Sequence, residues 1–260
     1  YNGAPWIAET LSRLAAAADD LPFETIVVDN ASTDETASIC RTIADMRVIR
    51  NEANRGFSRA VNQAASASQG KILIAINQDL YLQPNSLKIA REFLSSKEAV
   101  IGGELAFQDG AHQPSCGPFP TLGGALCRIM LPPRIRKNYL RRPHSGEARL
   151  VDWVSGAFIG FSRALFDRIG GFDEDYFMYY EDVVFCLRAR RAGYRSYILP
   201  SARAVHVDPH SAHDDVPDWL RREIRFSQVT FFRKNRPRWE HGAMRALNRA
   251  FFAAKGWRWR

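Results

Sequence analysis

Five acidic or imidazole side chains stand where chemistry could use them. Asp29 closes the apolar run Thr25-Ile26-Val27-Val28, and Asp79 follows Asn77-Gln78 at the end of the run Lys71 to Ile76. Acids at the carboxyl ends of successive buried strands suit a cation or a nucleotide better than a core, because ligands of open α/β sheets collect at that edge. Glu181 and Asp182 form an acid pair behind the aromatic stretch Tyr176-Phe177-Met178-Tyr179-Tyr180. After them Val183, Cys186, Leu187 and Arg190 recur at helical spacing, Arg188, Arg190 and Arg191 gather near the end, and Gly193 is a stop signal. The pair therefore sits at a helix N-terminus, where a carboxylate can be held in one direction. Helix capping alone is the commoner reason for acids there. His206 interrupts the apolar piece Ala204-Val205-Val207, a setting in which a single histidine is ordinarily a satisfied core residue. Asn54-Arg55-Gly56-Phe57 reads as a turn into a helix, with Gly56 permitting close backbone approach.

The elements that must position these residues alternate. A helix over Ile7 to Leu14 precedes the strand ending at Asp29, and a helix from Ser32-Thr33-Asp34 to about Asp45 precedes the strand Val48 to Arg50. A helix from the Gly56 turn to about Ser68 leads to the strand Lys71 to Ile76, and a helix from Asn85 to Ser95 to the strand Ala99 to Gly102. This β-α alternation predicts an α/β fold, a doubly wound and mostly parallel sheet with helices on both faces. Gln108 to Arg149, rich in Pro and Gly and basic from Arg134 to Arg142, reads as a long, partly mobile excursion that could serve as a lid or acceptor groove. Order returns with Val151 to Val154, a strand from Gly156 to Phe161 and a helix from Arg163 to Ile169. Strands at Ser196 to Leu199 and Ala204 to Val207 and a helix from about Asp218 to Arg233 follow the central helix.

At 260 residues the chain can hold one large domain and a tail. No segment is long and apolar enough to span a membrane, no signal peptide is evident, and the scattered Cys40, Cys116, Cys127 and Cys186 read as reduced thiols of a cytoplasmic protein. The net charge of +8 resides in the tail: Arg233 to Arg260 carries nine Lys/Arg against Glu240 alone. With Trp239, Phe251, Phe252, Trp257 and Trp259 interleaved, the tail suits peripheral contact with the inner face of an anionic membrane, or a solvated terminal helix. Nucleic acid is not expected as a partner, since no recognition motif accompanies the basic residues.

With these pieces in order, the sequence resembles the inverting family 2 glycosyltransferases of the GT-A fold, and within them the bacterial rhamnosyltransferase-like branch. The blocks that carry the resemblance are VVDNASTDET (27–36), NEANRGFSRAVNQA (51–64), INQDLYLQP (76–84), the run 153–194 and AVHVDPHSA (204–212). They imply a GT-A domain over residues 1–232 and leave the tail, 233–260, outside. Within the domain a donor half spans about 1–107, the excursion 108–149 and an acceptor half 150–232. The resemblance implies donor contacts from Tyr1, Asn2, Asp29, Asn54, Gly56, Asn62 and Asp79. It also implies a divalent cation, Mg²⁺ or Mn²⁺, at Asp79 and His206. Asp182 would be the general base, with Glu181 as the alternative base or as the residue that positions it. Trp153, Gly156, Tyr179 and Tyr180 would form the acceptor site, with Tyr176 and Phe177 as further aromatic candidates. The partners implied are a nucleotide-sugar donor, with dTDP-rhamnose favoured, and a glycan or polyprenyl-linked glycan acceptor. A galactosyl or N-acetylglucosaminyl donor is the alternative within the class, and a nucleotide-sugar-binding domain without turnover the alternative outside it. Three departures stand out. Asn77 replaces the first acid of the metal motif, Val184 stands where a third acid of the helix is common, and the family's first strand is expected to be missing ahead of Tyr1-Asn2.

Overall fold

The computed structural model describes residues 1–43, 46–130, 146–207 and 216–259, with backbone alone for 128–130. The N-terminal stretch forms two short helices, α1 (Ile7–Ser12) and α2 (Leu14–Ala18), rather than one. The β-branched run TIVVD makes β1 (Thr25–Asp29), followed by α3 (Thr36–Thr42), β2 (Met46–Arg50) and α4 (Phe57–Ala67). Then come β3 (Ile72–Ile76), β4 (Leu80–Leu82), α5 (Ser86–Ser96) and β5 (Ala99–Ala106). The Pro- and Gly-rich stretch carries β6 (His112–Gln113), β7 (Cys116–Gly117) and α6 (Leu122–Met130). Its basic run, Arg134 to Arg142, lies outside the described residues. The second half holds β8 (Arg149–Val151), β9 (Trp153–Val154), β10 (Phe158–Ser162), α7 (Arg163–Ile169), α8 (Glu181–Arg191), β11 (Arg195–His206), α9 (Asp218–Asn235) and α10 (Arg238–Ala254).

The main sheet has seven strands in the path β3-β10-β5-β11-β4, with β6 on β5 and β8 on β11. Strands β3, β5 and β11 run parallel, as the alternation implies, but β10 lies antiparallel between β3 and β5, and β4 and β8 are antiparallel to β11. The sheet is therefore mixed; hydrophobic runs carry no record of strand direction, and β10 enters the centre from the far side of the excursion. The pieces expected as two strands are one, β11, with its register shifted between Leu199 and Arg203. Successive residues of the central strands feed opposite cores, as a period of two requires. Ile101 and Phe158 pack with Leu14, Ala17, Ala90 and Leu94 on the α2–α5 face, whereas Val100 and Ile159 pack with Ala65, Leu165, Phe166 and Phe185 on the α4–α7–α8 face. Phe185 of α8 stacks on Phe172 with centroids 4.3 Å apart and meets Phe161 at 4.7 Å, which sets the depth at which α8 lies.

Strands β1 and β2 form a separate parallel pair. Among the described residues no strand is bonded to the other edge of β1 or of β3, and both line one cavity. Every residue from Thr25 to Asp29 and from Ile72 to Ile76 borders it. A cavity over one face would touch alternate residues, so this one runs along the strand edges. The apolar residues of β3 are accordingly only half-buried.

The tail is a folded element. Pro237 separates α9 from α10, and the two helices pack together. Phe252 is buried, Trp257 and Trp259 close on it at 5.4 and 5.0 Å, and Arg222 and Arg225 of α9 lie over Trp257 and Phe251. Trp239 alone of the tail's aromatics is largely exposed, at 67%.

Candidate active site

A cavity of about 2070 Å³ opens at the carboxyl ends of β1 and β3 and reaches the start of α8. It gathers Tyr1, Asn2, Asp29, Asn54, Gly56, Asp79, Trp153, Gly156, Tyr179, Tyr180, Glu181, Asp182 and His206 on its walls. Of the residues singled out in the sequence, Asn62 is not among them. Its Oδ1 accepts from Phe172 N at 2.9 Å, and its Nδ2 donates to Phe172 O and to Glu174 Oε1. Asn62 ties α4 to the loop before α8. Tyr176 is fully buried against Val183, Val184 and Phe231, so it belongs to the core.

The β1 end is stitched to the N-terminal segment. Asn2 N donates to Ser32 Oγ at 2.9 Å, Thr33 N donates to Asn2 Oδ1 at 2.9 Å, and Gln78 Nε2 donates to Tyr1 O at 3.2 Å. Asp29 has one oxygen occupied, Oδ1 accepting from Ser32 N at 3.0 Å. Its Oδ2 is buried and finds no hydrogen-bond partner among the described residues, with Arg50 Nε 3.6 Å away. A buried carboxylate oxygen with no donor is costly unless a ligand supplies one.

The Asn54-Arg55-Gly56-Phe57 turn is clamped on both sides. Asn54 Oδ1 accepts from Gly56 N at 3.0 Å, Asn30 Nδ2 donates to Gly56 O at 3.1 Å, and Phe57 N donates to Phe177 O at 3.0 Å. Gly56 has φ 82° and ψ 175°, a region essentially reserved for glycine, and a Cβ there would meet Phe177 O at 2.3 Å.

Asp79 immediately precedes β4 and His206 ends β11; His206 is paired with Leu80 across the ladder, so the two side chains meet at one rim. His206 Nε2 lies 3.4 Å from Asp79 Oδ1 and 3.2 Å from Asn77 Nδ2, and both Asp79 and His206 are buried. Two donor atoms each about 2.1 Å from one ion at cis positions stand roughly 3–3.5 Å apart, so the pair fits a shared cation. Carboxylate with imidazole suits Mn²⁺. Among the described residues no three His, Cys, Asp or Glu side chains cluster as a complete metal cage. The remaining positions would fall to water and phosphate oxygens.

The start of α8 presents the acid pair. Asp182 Oδ2 accepts from Gly156 N at 2.9 Å and Oδ1 from Val183 N at 2.7 Å, which leaves lone pairs on both oxygens. Burial raises its proton affinity above that of an ordinary aspartate. Glu181 is 6% exposed, and its Oε2 has no partner. Burial first and the Asp182 charge second push its carboxyl well above the usual range, so Glu181 holds its proton further up the pH scale. The backbone before them is strained: Tyr179 and Tyr180 have φ of 64° and 70°, which costs on the order of 1–3 kcal/mol per residue. The bonds Phe57 N to Phe177 O, Ser227 Oγ to Met178 O and Val184 N to Tyr180 O fix that conformation. Gly156 sits tightly below, with a Cβ at 3.2 Å from the Phe57 ring. Trp153 is turned by its Nε1–H donating to Pro118 O at 2.9 Å.

The profile of glycosyl transferase family 2 matches residues 1–170, and that of glycosyl transferase family group 2 matches residues 142–259. The N-acetylglucosaminyl-diphospho-decaprenol L-rhamnosyltransferase of Mycobacterium tuberculosis H37Rv is 29% identical over 234 residues, 83% of this chain and 76% of that protein. Rhamnosyltransferase WbbL of Escherichia coli K12 is 28% identical over 226 residues, 83% of each. Among solved structures, the mannosyltransferase PcManGT from Pyrobaculum calidifontis, in complex with GDP-Man and Mn²⁺, superposes with a TM-score of 0.62 at 25% identity. The match covers 90% of this chain and 61% of that one.

Proposed function

The chain belongs to glycosyl transferase family 2, and from that premise we propose that it moves a sugar, with inversion, from a nucleotide diphosphate donor to a hydroxyl of a glycan in cell-surface polysaccharide synthesis. The observation that carries the reading is the Asp182 carboxylate. The Gly156 amide holds it at the cavity that also contains the orphaned Asp29 oxygen and the Asp79–His206 pair.

A sugar hydroxyl is a poor nucleophile until its proton is removed. Asp182 takes that proton as the acceptor oxygen bonds to the anomeric carbon. The bond from that carbon to the phosphate oxygen breaks on the opposite side, and the nucleoside diphosphate departs with the electron pair. The raised proton affinity of Asp182 moves it in the direction a base needs. Asp79 Oδ1 and His206 Nε2 would hold a divalent cation, which supplies positive charge to the leaving diphosphate. Asp29 Oδ2 accepts an N–H from the nucleobase, and Tyr1, Asn2, Asn54 and Gly56 border the donor. Trp153, Tyr179 and Tyr180 offer ring surfaces to the acceptor, and the missing side chain of Gly156 leaves it room.

The names of the two rhamnosyltransferase relatives support rhamnose as the sugar, and that of the mycobacterial one supports a polyprenyl-linked acceptor; we take dTDP-rhamnose as the donor and place the acceptor at the inner face of a membrane. The exposed face of α10, with Arg238, Trp239, Arg245 and Arg249, is suited to that surface. The deciding experiment is release of nucleoside diphosphate from a donor panel, with and without chelator. Release from dTDP-rhamnose that stops in chelator is expected. Release from UDP-galactose or UDP-N-acetylglucosamine would move the donor assignment, full release in chelator would end the metal role of Asp79 and His206, and binding without release would make the chain a donor-binding domain.

A further inference from the structure

We propose that Gln113 is a positioning residue: its amide oxygen fixes the His206 ring proton on Nδ1 and so keeps a lone pair on Nε2 beside Asp79, held by Asn77 Nδ2 until a divalent cation takes its place. The proposal rests on the metal reading of Asp79 and His206 given above.

Gln113 lies in β6, a two-residue strand paired to the end of β5 with Gln113 opposite Leu105. Leu105 is in turn opposite Ala204 of β11, two residues before His206. Residues directly opposite one another share a face, as do residues two apart on a strand. The ladder therefore puts Gln113, Ala204 and His206 on one face, at the rim where Asp79 stands. Gln113 and His206 are each 7% exposed, and His206 Nδ1 is 3.1 Å from Gln113 Oε1.

An amide oxygen only accepts, so the bond to Gln113 requires a proton on Nδ1. On the other side, Asn77 Nδ2 only donates, and it lies 3.2 Å from Nε2, which requires a lone pair there. Two neighbours on two different elements thus demand the same neutral tautomer. With the tautomer reversed, both contacts would be lost and Nε2–H would point at Asp79 Oδ1, 3.4 Å away. That ring cannot ligate a metal through Nε2. Partners on the far nitrogen of a ligating histidine commonly fix its tautomer and orientation, and their loss typically costs about 10–100-fold in metal affinity.

The test uses the full chain, two variants of Gln113 and the control His206→Ala. Gln113→Met keeps the length and removes the acceptor; Gln113→Glu keeps an acceptor oxygen at similar reach. The first readout needs no metal: ¹⁵N–¹H correlation of the neutral His206 ring, assigned by its loss in His206→Ala. The parent should carry the proton on Nδ1 and Gln113→Glu should do the same; Gln113→Met, with Asn77 alone left to favour that tautomer, should show a measurable share of Nε2–H. The second readout is affinity for Mn²⁺ alone, by water-proton relaxation. Gln113→Met should bind about 10–100-fold more weakly, and Gln113→Glu at least as tightly as the parent. A parent ring protonated on Nε2 overturns the proposal outright. So does parental Mn²⁺ affinity in Gln113→Met when His206→Ala has lost it, with the metal reading left standing. No loss of Mn²⁺ affinity in His206→Ala, or none measurable in the parent, overturns the metal reading and this proposal with it.

Discussion

At the scale of single residues, two neighbouring acids carry opposite expectations. Asn caps a helix about as well as Asp but cannot accept a proton, so Asp182→Asn separates capping from catalysis. Transfer should fall by roughly 10²–10⁴-fold, equivalent to about 3–5 kcal/mol of barrier, while thermal stability and donor affinity stay near the parent's. A variant as fast as the parent would leave Asp182 the structural role of holding the Gly156 and Val183 amides. Glu181 predicts a pH effect on stability. Its folded carboxyl titrates above the ordinary value of 4.5, raised by burial and then by Asp182. Below that value both folded and unfolded chains hold the proton. As pH rises through it the unfolded chain releases its proton while the folded chain keeps it, so stability declines toward neutrality. Glu181→Gln removes that decline, and denaturant melts taken from acid to neutral pH should show a flatter curve. An unchanged slope would mean that Glu181 ionises normally in the fold. The acids and the histidine were legible in the sequence because residue type and strand-end position already limit what they can do. Gln113 was not, because a lone amide among Pro and Gly has no period and no charge, and its partner is 93 residues away. The bonds of Asn62 were hidden for the converse reason: its place after the Gly56 turn on α4 is visible, but the loop that engages its amide lies 110 residues away.

At the scale of elements, the turn ahead of α4 and the surface of α10 respond oppositely to one methyl group. Gly56→Ala forces a side chain into a glycine-only conformation and against Phe177 O, so a loss of about 1–3 kcal/mol in unfolding free energy is expected, with weaker donor binding. Gly242 lies exposed within α10 with nothing near its missing Cβ, and Gly242→Ala should gain about 0.5–1 kcal/mol. Equal effects from both would mean that the Gly56 turn relaxes in solution. The strongly patterned elements β1, β3, β5, α4 and α8 were all readable, since each has a run or a periodicity of its own. The antiparallel placement of β10, the short strands β4 and β6 and the fusion of two runs into β11 were not, because they depend on partners that only the folded sheet supplies. The two left-handed tyrosines before α8 left no trace either, as neither is a glycine or an asparagine.

At the scale of the whole molecule, charge and continuity matter more than any one contact. Phe252 and Trp259 pack on Phe226 of α9, and Phe251 and Trp257 lie under its arginines, which leaves Trp239 and a basic face exposed; the proposed membrane contact rests on that face. Replacing Arg238, Arg245 and Arg249 together by Ala should weaken binding to anionic vesicles, and salt should do the same to the parent, since charges are screened over about 8–10 Å at ordinary ionic strength. Vesicle binding insensitive to both would place any membrane contact elsewhere. The unbonded edges of β1 and β3 have a different consequence. Among the described residues no ladder joins the β1–β2 pair to the seven-stranded sheet, so its amides are expected to open as a unit ahead of the rest. They should exchange with deuterium faster than those of β5 and β11. A nucleoside diphosphate that engages Asp29 on one side and Asp79 on the other would brace the two units, and ligand held only by the closed form stabilises it in proportion to its binding. Exchange in β1 and β2 should then slow sharply on adding the ligand, while β5 and β11 change little. Uniform slowing across all strands would mean that the molecule already opens as one body, and that the donor fills its site without acting as the tie between its two sheets.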